Sequence, residues 1–167
     1  MSDSDYILDE ALLASTGKRF LNYLIDIVFV FIGIIIFGFV AGVLIALGMQ
    51  GVGDWLSGLG DLGWNLIGLS ILIIYYTLTE GIFGRSIGKF ITGTTVVDEN
   101  GVKINFGTAF KRSLCRLIPF DNFSFLGSGR GWHDSIADTY VVEKKALEES
   151  LRLFHDFKLI GVQETEI

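Results

Sequence analysis

The fold of this chain is decided by residues 20–47, FLNYLIDIVFVFIGIIIFGFVAGVLIAL, which hold a single charged residue, Asp26. A run of apolar and small residues this long predicts a transmembrane helix rather than the buried helix of a soluble protein. At about 1.5 Å per residue the helix extends roughly 42 Å, enough to cross a hydrocarbon core of about 30 Å. An aspartate inside it costs roughly 2.5–3.5 kcal/mol, so Asp26 must be solvated, paired or protonated.

A second apolar run covers residues 64–82, WNLIGLSILIIYYTLTEGI, and its one charge, Glu80, lies near the far end. The intervening loop, residues 48–63, is rich in glycine and has no base, while Trp55 and Trp64 suit a membrane interface. The chain has 167 residues and is 50% hydrophobic, which predicts an integral membrane protein of one compact unit.

The charges are segregated along the chain, which the net charge of −6 conceals. Lys18 and Arg19 precede the first span, and no base lies between the two spans. Residues 85–130 hold seven bases, Arg85, Lys89, Lys103, Lys111, Arg112, Arg116 and Arg130, against three acids. By the positive-inside bias, both termini lie in the cytoplasm and the loop between the spans faces the outside.

The segment after the second span predicts a small cytoplasmic β-element. Thr94–Val97 favours a strand, Asn100-Gly101 is the signal of a type I′ turn, and a return strand begins at Val102. These residues predict a β-hairpin, to which Thr139–Val142 adds as a third strand of a cytoplasmic sheet.

Residues 106–126, FGTAFKRSLCRLIPFDNFSFL, predict an amphipathic helix followed by an apolar elbow. The run is too charged to span the membrane and is interrupted by Pro119, so we expect an interfacial or re-entrant helix. Lys111, Arg112 and Arg116 flank its apolar stripe, a position that favours contact with anionic lipid headgroups. The stripe consists of Phe106, Phe110, Leu114 and Leu117.

We therefore predict an all-α membrane protein with two transmembrane helices, the amphipathic helix and the small β-element. Residues 1–16 form a cytoplasmic N-terminal segment, whose apolar residues 7–13 could lie on the membrane surface. Residues 17–143 form the membrane domain, and residues 144–167 form a cytoplasmic C-terminal helix and tail, with the helix over residues 144–158.

Arg19, Asn22 and Asp26 follow one another at i, i+3 and i+7 and share one helix face within about 60°. Asp26 lies about 10 Å further into the membrane than Arg19. A polar stripe at that depth faces a partner helix or a watery cavity rather than lipid. The sequence leaves three roles open: a structural carboxylate that orients the spans, a cation or proton site, and a partner interface.

Glu80 lies close to Asp26 in depth if the two spans are antiparallel neighbours. Two carboxylates in one low-dielectric site could exchange a proton for a cation. The alternative is that Glu80 is an interfacial acid that extends toward water.

Other patterns exclude several classes of function. His133, His155 and Cys115 lack the spacing of metal ligands, and residues 58–63 match G-x-G-x-x-G without the strand that a dinucleotide site requires. No Ser-His-Asp or Walker pattern is present, so we expect no enzyme, no cofactor and no nucleic-acid partner. Gly38 and Gly42 form a G-x-x-x-G, which favours close helix contact and self-association.

Several motifs together resemble the RDD family of small bacterial membrane proteins, named for one arginine and two aspartates. Through the resemblance, the family's arginine corresponds to Arg19, its first aspartate to Asp26 and its second to Asp134. The matching stretches are Gly17–Arg19, Leu24–Asp26, Glu80–Gly81, Gly84–Lys89, Val96–Gly101, Arg112, Arg116 and Gly131–Val142.

The resemblance implies a multi-pass protein of the bacterial inner membrane with a transport role, specifically the antiport of a monovalent cation against protons. Because two spans enclose no pathway, transport requires a homo-oligomer or another membrane subunit. We expect Arg19 to pair with Asp134, with Asp26 as a second partner. The rival hypothesis is a non-transporting scaffold or accessory subunit that recruits a partner through its cytoplasmic face.

Overall fold

The computed structural model describes residues 6–128 and 130–164 of the chain. Within these residues, a 3-10 turn, Glu10–Leu12, precedes eight α-helices and two strands. In chain order these are α1 (Thr16–Ala46), α2 (Gln50–Ser57), α3 (Gly60–Phe83), α4 (Ile87–Thr92), β1 (Thr94–Val97), α5 (Phe106–Cys115), α6 (Asp121–Ser128), α7 (Trp132–Ile136), β2 (Tyr140–Glu143) and α8 (Lys144–Glu164). The elements from α4 to α8, together with the 3-10 turn, form a layer at one end of α1 and α3; this layer is the cap.

Helices α1 and α3 are long and apolar enough to cross a membrane. Phe31, Ile35 and Phe39 of α1 are 62%, 68% and 71% exposed, whereas the core helix of a soluble protein would bury such side chains. The two predicted spans are thus present as helices, and both begin earlier than predicted, α1 at Thr16 and α3 at Gly60.

The predicted loop between the two spans contains a helix, α2. Gly48 has a φ of +93°, a conformation that glycine adopts without strain, and it turns the chain after the end of α1. The prediction of an irregular loop over residues 48–63 is therefore wrong, because α2 fills half of it.

Strand β1 pairs antiparallel with β2, in a register that places Thr94 opposite Glu143 and Val97 opposite Tyr140. The prediction that β2 joins the sheet is confirmed, although the strand begins at Tyr140 rather than Thr139. The predicted hairpin is wrong: its return strand is reduced to a single bridge between Val97 and Lys103.

The turn after β1 also differs from the prediction. A type I′ turn needs a positive φ at both central residues, but of Asn100 and Gly101 only the glycine has one. The Asp98 carboxylate accepts hydrogen bonds from the backbone N–H groups of Asn100 and Val102, both at 2.9 Å. The Asn105 side chain caps α5, so the helix begins directly after this turn. Few residues therefore remain between the turn and α5 to form a return strand.

The sheet is covered on both sides by apolar side chains. One face packs Val96 and Val141 against Ala14, Ile104 and Ala109. This arrangement ties the chain before α1 to the sheet and to α5.

The other face packs Val97 and Val142 against Tyr6 and Leu147. Leu8, Leu12 and Leu13 lie against this second cluster, so the prediction that they rest on the membrane surface is wrong, whereas Ile7 is 85% exposed. Both ends of the described chain therefore belong to the cap.

Residues 106–126 form two helices, α5 and the start of α6, rather than one helix and an elbow. The amphipathic character of α5 is confirmed, since Phe106, Phe110 and Leu114 are exposed while Arg112 and Ser113 are buried. The buried side of α5 packs on α3, where Thr77 donates a hydrogen bond to Ser113 at 3.1 Å.

Candidate functional site

The polar side chains that share one face of α1 are buried inside the protein. Arg19, Asn22 and Asp26 are buried, as their shared helix face predicts. The Asn22 amide lies within hydrogen-bond distance of two hydroxyl oxygens, 2.5 Å from Thr92 Oγ1 and 3.0 Å from Thr94 Oγ1. These contacts fix α1 against the segment that joins α4 to β1.

Asp26 is 1% exposed and is held by three neutral donors. Its Oδ1 accepts hydrogen bonds from the Tyr75 hydroxyl at 2.7 Å and from the Gly88 backbone N–H at 2.8 Å. Its Oδ2 accepts one from the Ser86 hydroxyl at 2.5 Å. None of the ion pairs within residues 6–128 and 130–164 involves Asp26, so the expected pairing with Arg19 is wrong.

The segment from the end of α3 into α4 contains the glycines that its contact with Asp26 requires. Gly84 ends α3 with a φ of +69°, which permits the sharp exit of the chain. A Cβ on Gly88 would collide with the backbone of Asn22, so only glycine lets α4 approach α1 this closely. The close approach brings the Gly88 N–H and the Ser86 hydroxyl to the Asp26 carboxylate.

Asp134, at the start of α7, is bound by two arginines. Arg19 Nη1 lies 2.6 Å from Asp134 Oδ2, and Arg112 Nη1 lies 2.7 Å from Asp134 Oδ1. The predicted contact between Arg19 and Asp134 is therefore confirmed. Burial alone would raise the pKa of Asp134, but the neighbouring positive charges outweigh it and hold that pKa well below its usual range.

Glu80, near the end of α3, is fully buried and is surrounded by three bases. Lys89 Nζ and Arg116 Nη2 lie 2.9 Å and 3.3 Å from Oε1, and Arg112 Nε lies 2.9 Å from Oε2. The interpretation of Glu80 as an interfacial acid that extends toward water is wrong. Because Arg112 contacts both Glu80 and Asp134, it joins the two carboxylates into one ion-pair network.

The predicted lipid contacts are wrong for two of the three bases on α5. Arg112 is fully buried, and the side chain of Arg116 is 6% exposed and stacks over the Tyr76 ring at 4.0 Å. Lys111 is exposed, so its predicted contact with lipid headgroups stays a prediction. The i, i+4 spacing of the two arginines indicated one shared face, but only the buried Glu80 and Asp134 decide that this face points inward.

His133 belongs to the same site, although no pattern in the sequence assigned it a role. Its ring Nδ1 lies 2.6 Å from Asp121 Oδ2, and its Nε2 lies 3.4 Å from Asp134 Oδ1. Its backbone N–H donates to Asp121 Oδ1 at 2.8 Å. Burial lowers the pKa of His133, and the positive charge of Arg116 lowers it further, so the ring is neutral near pH 7.

The buried ionisable side chains around this site form one group, hereafter the charge cluster. Its four bases are Arg19, Lys89, Arg112 and Arg116, and its four carboxylates are Asp26, Glu80, Asp121 and Asp134. Among the described residues, the hydrogen bonds to Asp26 come from neutral groups, whereas Glu80 and Asp134 are paired with bases.

A cavity of about 30 Å³ lies between α1 and the cap. This volume has room for about two water molecules. The Nε atoms of Arg19 and Arg116 are buried and have no hydrogen-bond partner among the described residues. The lining consists of Arg19, Asn22, Tyr23, Asp26, Tyr76, Lys89, Arg116, Phe125, His133 and Val141.

Comparison with known proteins gives one match. The model of the RDD family matches residues 13–138, which is most of the chain and includes every member of the charge cluster. Comparison with curated proteins and with solved structures gives no significant match.

Proposed function

The chain belongs to the RDD family and is a membrane protein, and on this premise we propose that it exchanges a monovalent cation for a proton at Asp26. The proposal places it in the bacterial inner membrane as a transport-related protein. One observation carries it: Asp26 is a buried carboxylate within a candidate span that no described base neutralises. A carboxylate at such a depth is costly unless a proton or a cation accompanies it.

The groups around Asp26 suit either occupant. Two hydroxyl oxygens, those of Tyr75 and Ser86, and the Asn22 amide lie on the same side of α1 and could supply oxygen ligands to a cation. Because a proton and a monovalent cation carry the same charge, their exchange leaves the net charge of the cluster unchanged. This equivalence supports one-for-one antiport rather than uptake of a cation alone.

Glu80 and Asp134 support a structural role for the ion-pair network. Glu80 and Asp134 are each neutralised by at least two bases at 3.3 Å or less. Such groups hold their charge and bind the cap to α1 and α3. Exchange at Asp26 would take place against this fixed framework.

Transport through two spans requires a second copy or another membrane subunit. On α1, a Cβ added to Gly38 or Gly42 would meet nothing within 4 Å, so this face leaves space for a neighbouring helix. The contact between Tyr6 and Phe154, whose ring centroids are 5.4 Å apart, places both ends of the described chain in the cap. Together with the seven bases against three acids in residues 85–130, this contact supports a cytoplasmic position for both termini.

The test is a cation pulse applied to proteoliposomes that contain a lumenal pH dye. With the wild type, Na⁺ or K⁺ should change the lumenal pH, and Asp26→Asn should abolish the change. Asp61→Asn is the matched control, because Asp61 is an exposed aspartate at the other end of the spans, and this variant should behave as the wild type. A flat trace from folded, inserted wild-type protein would overturn the proposal.

The second candidate function is a scaffold or accessory subunit that recruits a partner through the cap. It is favoured by α8, which extends from Lys144 to Glu164 and lies wholly beyond the matched residues 13–138. The two hypotheses differ in what they expect of Asp26→Asn. A scaffold should keep its partner and its cellular role with this substitution, whereas a proton-coupled carrier should lose its function.

A further inference from the structure

We propose that His133 is the group that accepts the proton released by Asp26, through the cavity that both side chains line. This inference rests on the proposed exchange at Asp26 and adds the route and the acceptor. It concerns a residue outside the three that give the family its name.

The first support is the position of the two side chains on one cavity. Asp26 lies on α1 and His133 on α7, and both line the volume of about 30 Å³ between α1 and the cap. A polar cavity of this size accommodates about two waters, and the buried Nε groups of Arg19 and Arg116 would donate hydrogen bonds to them. Water held in this way would connect the carboxylate to the imidazole.

The second support is the orientation of the imidazole ring. An ionised carboxylate only accepts hydrogen bonds, so Asp121 at 2.6 Å assigns the ring proton of neutral His133 to Nδ1. The lone pair then resides on Nε2, which is the basic atom of the ring. When Nε2 takes up a proton, its N–H can donate to Asp134 Oδ1, which lies 3.4 Å away.

Proton transfer from Asp26 to His133 conserves both atoms and charge. The O–H bond of protonated Asp26 breaks, a bound water accepts the proton and passes on one of its own, and an N–H bond forms at His133 Nε2. Asp26 is left as a carboxylate that can bind a cation. His133 is left as an imidazolium between the carboxylates of Asp121 and Asp134.

The charges around His133 keep it neutral at rest and still allow it to be protonated. Burial and the charge of Arg116 lower its pKa, while Asp134 and Asp121 act in the opposite direction. The ring is thus a base that releases its proton readily. The charged or titratable groups of the surrounding elements are Arg19 and Asp26 on α1, Tyr76 and Glu80 on α3, Lys89 on α4, Arg112 and Arg116 on α5, Asp121 on α6, and Asp134 and Arg130 at α7.

The test compares His133→Asn with His155→Asn in the proteoliposome assay. Asparagine keeps an N–H donor near the position of Nδ1 but removes the basic Nε2, and His155 is an exposed histidine on α8 that serves as the control. We expect His133→Asn to slow cation-driven proton flux at least about tenfold and His155→Asn to leave it unchanged. If His133→Asn transports at the wild-type rate, the relay is wrong and the exchange at Asp26 stands. If the wild type itself gives no flux, the exchange is wrong and the relay falls with it.

A second measurement needs no substitution at His133 and covers the case in which His133→Asn does not fold. The ring nitrogens of ¹⁵N-histidine-labelled protein are followed by NMR against pH, with His155→Asn used to assign the two residues. The relay requires that His133 take up a proton reversibly in the folded protein, with a midpoint below the value of about 6.5 that is usual for histidine. A ring that stays neutral at every pH at which the protein remains folded would overturn the proposal.

Discussion

Asp26 and Asp134 are both buried carboxylates, but the structure holds them in opposite ways. Three neutral donors bind Asp26, from Tyr75, Ser86 and the Gly88 backbone. Two arginines bind Asp134. Neutral donors fix the position of a carboxylate and leave its charge free to be compensated by a proton or a cation, whereas ion pairs fix position and charge together. Under the proposed function, this difference distinguishes the exchange site, Asp26, from a structural carboxylate, Asp134, within a single cluster.

The comparison predicts that substitutions in the ion-pair network cost folding and that conservative substitution of Asp26 costs function. Removal of one partner from a buried ion pair typically costs about 3–5 kcal/mol, because the other charge is left buried without compensation. Loss of a single neutral hydrogen bond costs about 0.5–1.5 kcal/mol. Thermal unfolding in detergent can therefore distinguish the two classes.

The largest effect is expected for Arg112→Ala. This substitution leaves Glu80 and Asp134 each short of a partner, and the loss of two buried ion pairs would exceed about 5 kcal/mol, comparable to the whole stability of many domains. We expect little folded protein to be recovered from membranes. Lys111→Ala, which removes the exposed base next to it, should unfold at the wild-type temperature. Normal recovery of Arg112→Ala would show that the network is not structural.

The next effect is expected for Arg19→Ala, at about 3 kcal/mol, because Asp134 keeps its pair with Arg112. Arg19→Lys retains a positive charge and should lose less. Equal losses for the alanine and lysine variants, measured by thermal unfolding, would mean that the charge of Arg19 contributes nothing.

Exchanging the charges of Arg19 and Asp134 should not restore stability, because Asp134 also pairs with Arg112. In Arg19→Asp combined with Asp134→Arg, the new arginine would face Arg112 across the contact that Asp134 makes at 2.7 Å. The double variant should therefore unfold at or below the temperature of the single variants. Recovery of wild-type stability would contradict the sharing of Asp134 between two arginines.

The pH dependence of stability should show two windows. Because the pKa of His133 is lower in the folded than in the unfolded protein, the unfolded state binds more protons and stability falls as pH drops below about 6.5, by up to about 1.4 kcal/mol per pH unit. The depressed pKa of Asp134 adds a second loss as pH drops below about 3.9. His133→Asn should remove the first window and retain the second. If His133→Asn loses as much stability as the wild type when pH drops below about 6.5, this loss arises from the titration of another group.

The smallest effect on stability is expected for Asp26→Asn. Asparagine can still accept hydrogen bonds from Tyr75 and Gly88, and its amide can donate to the Ser86 oxygen, so the cost should stay within about 1.5 kcal/mol. Asp26→Ala leaves all three donors buried without an acceptor and should cost more. If the asparagine variant were as unstable as Arg19→Ala, Asp26 would be structural after all.

The parts of the fold and site that could be predicted are those encoded in local patterns. The two spans follow from the length of their apolar runs, and the buried face of α1 follows from the spacing of Arg19, Asn22 and Asp26. The contact of Arg19 with Asp134 was predicted from the family resemblance. Periodicity alone could not have shown it, since the two residues are 115 positions apart.

The parts that could not be predicted depend on partners distant in sequence. The bases of α5 fit a lipid-facing helix until Glu80 and Asp134 are known to lie behind them. The Asn100-Gly101 signal favoured a local hairpin, but β2 competes for β1 and matches its valines on both faces of the sheet. The matching stretch Gly131–Val142 contains His133, but no pattern assigned it a role, because that role arises from Asp121 and from a cavity formed by several elements.

The most direct test of the central claim is the release of protons on cation binding by purified protein in weakly buffered detergent solution. If Asp26 exchanges a proton for a cation, Na⁺ or K⁺ should release up to about one proton per chain from the wild type and none from Asp26→Asn. This measurement requires neither a reconstituted pathway nor a defined oligomer. Equal release from both proteins, or none from the wild type at any pH at which it stays folded, would contradict the account.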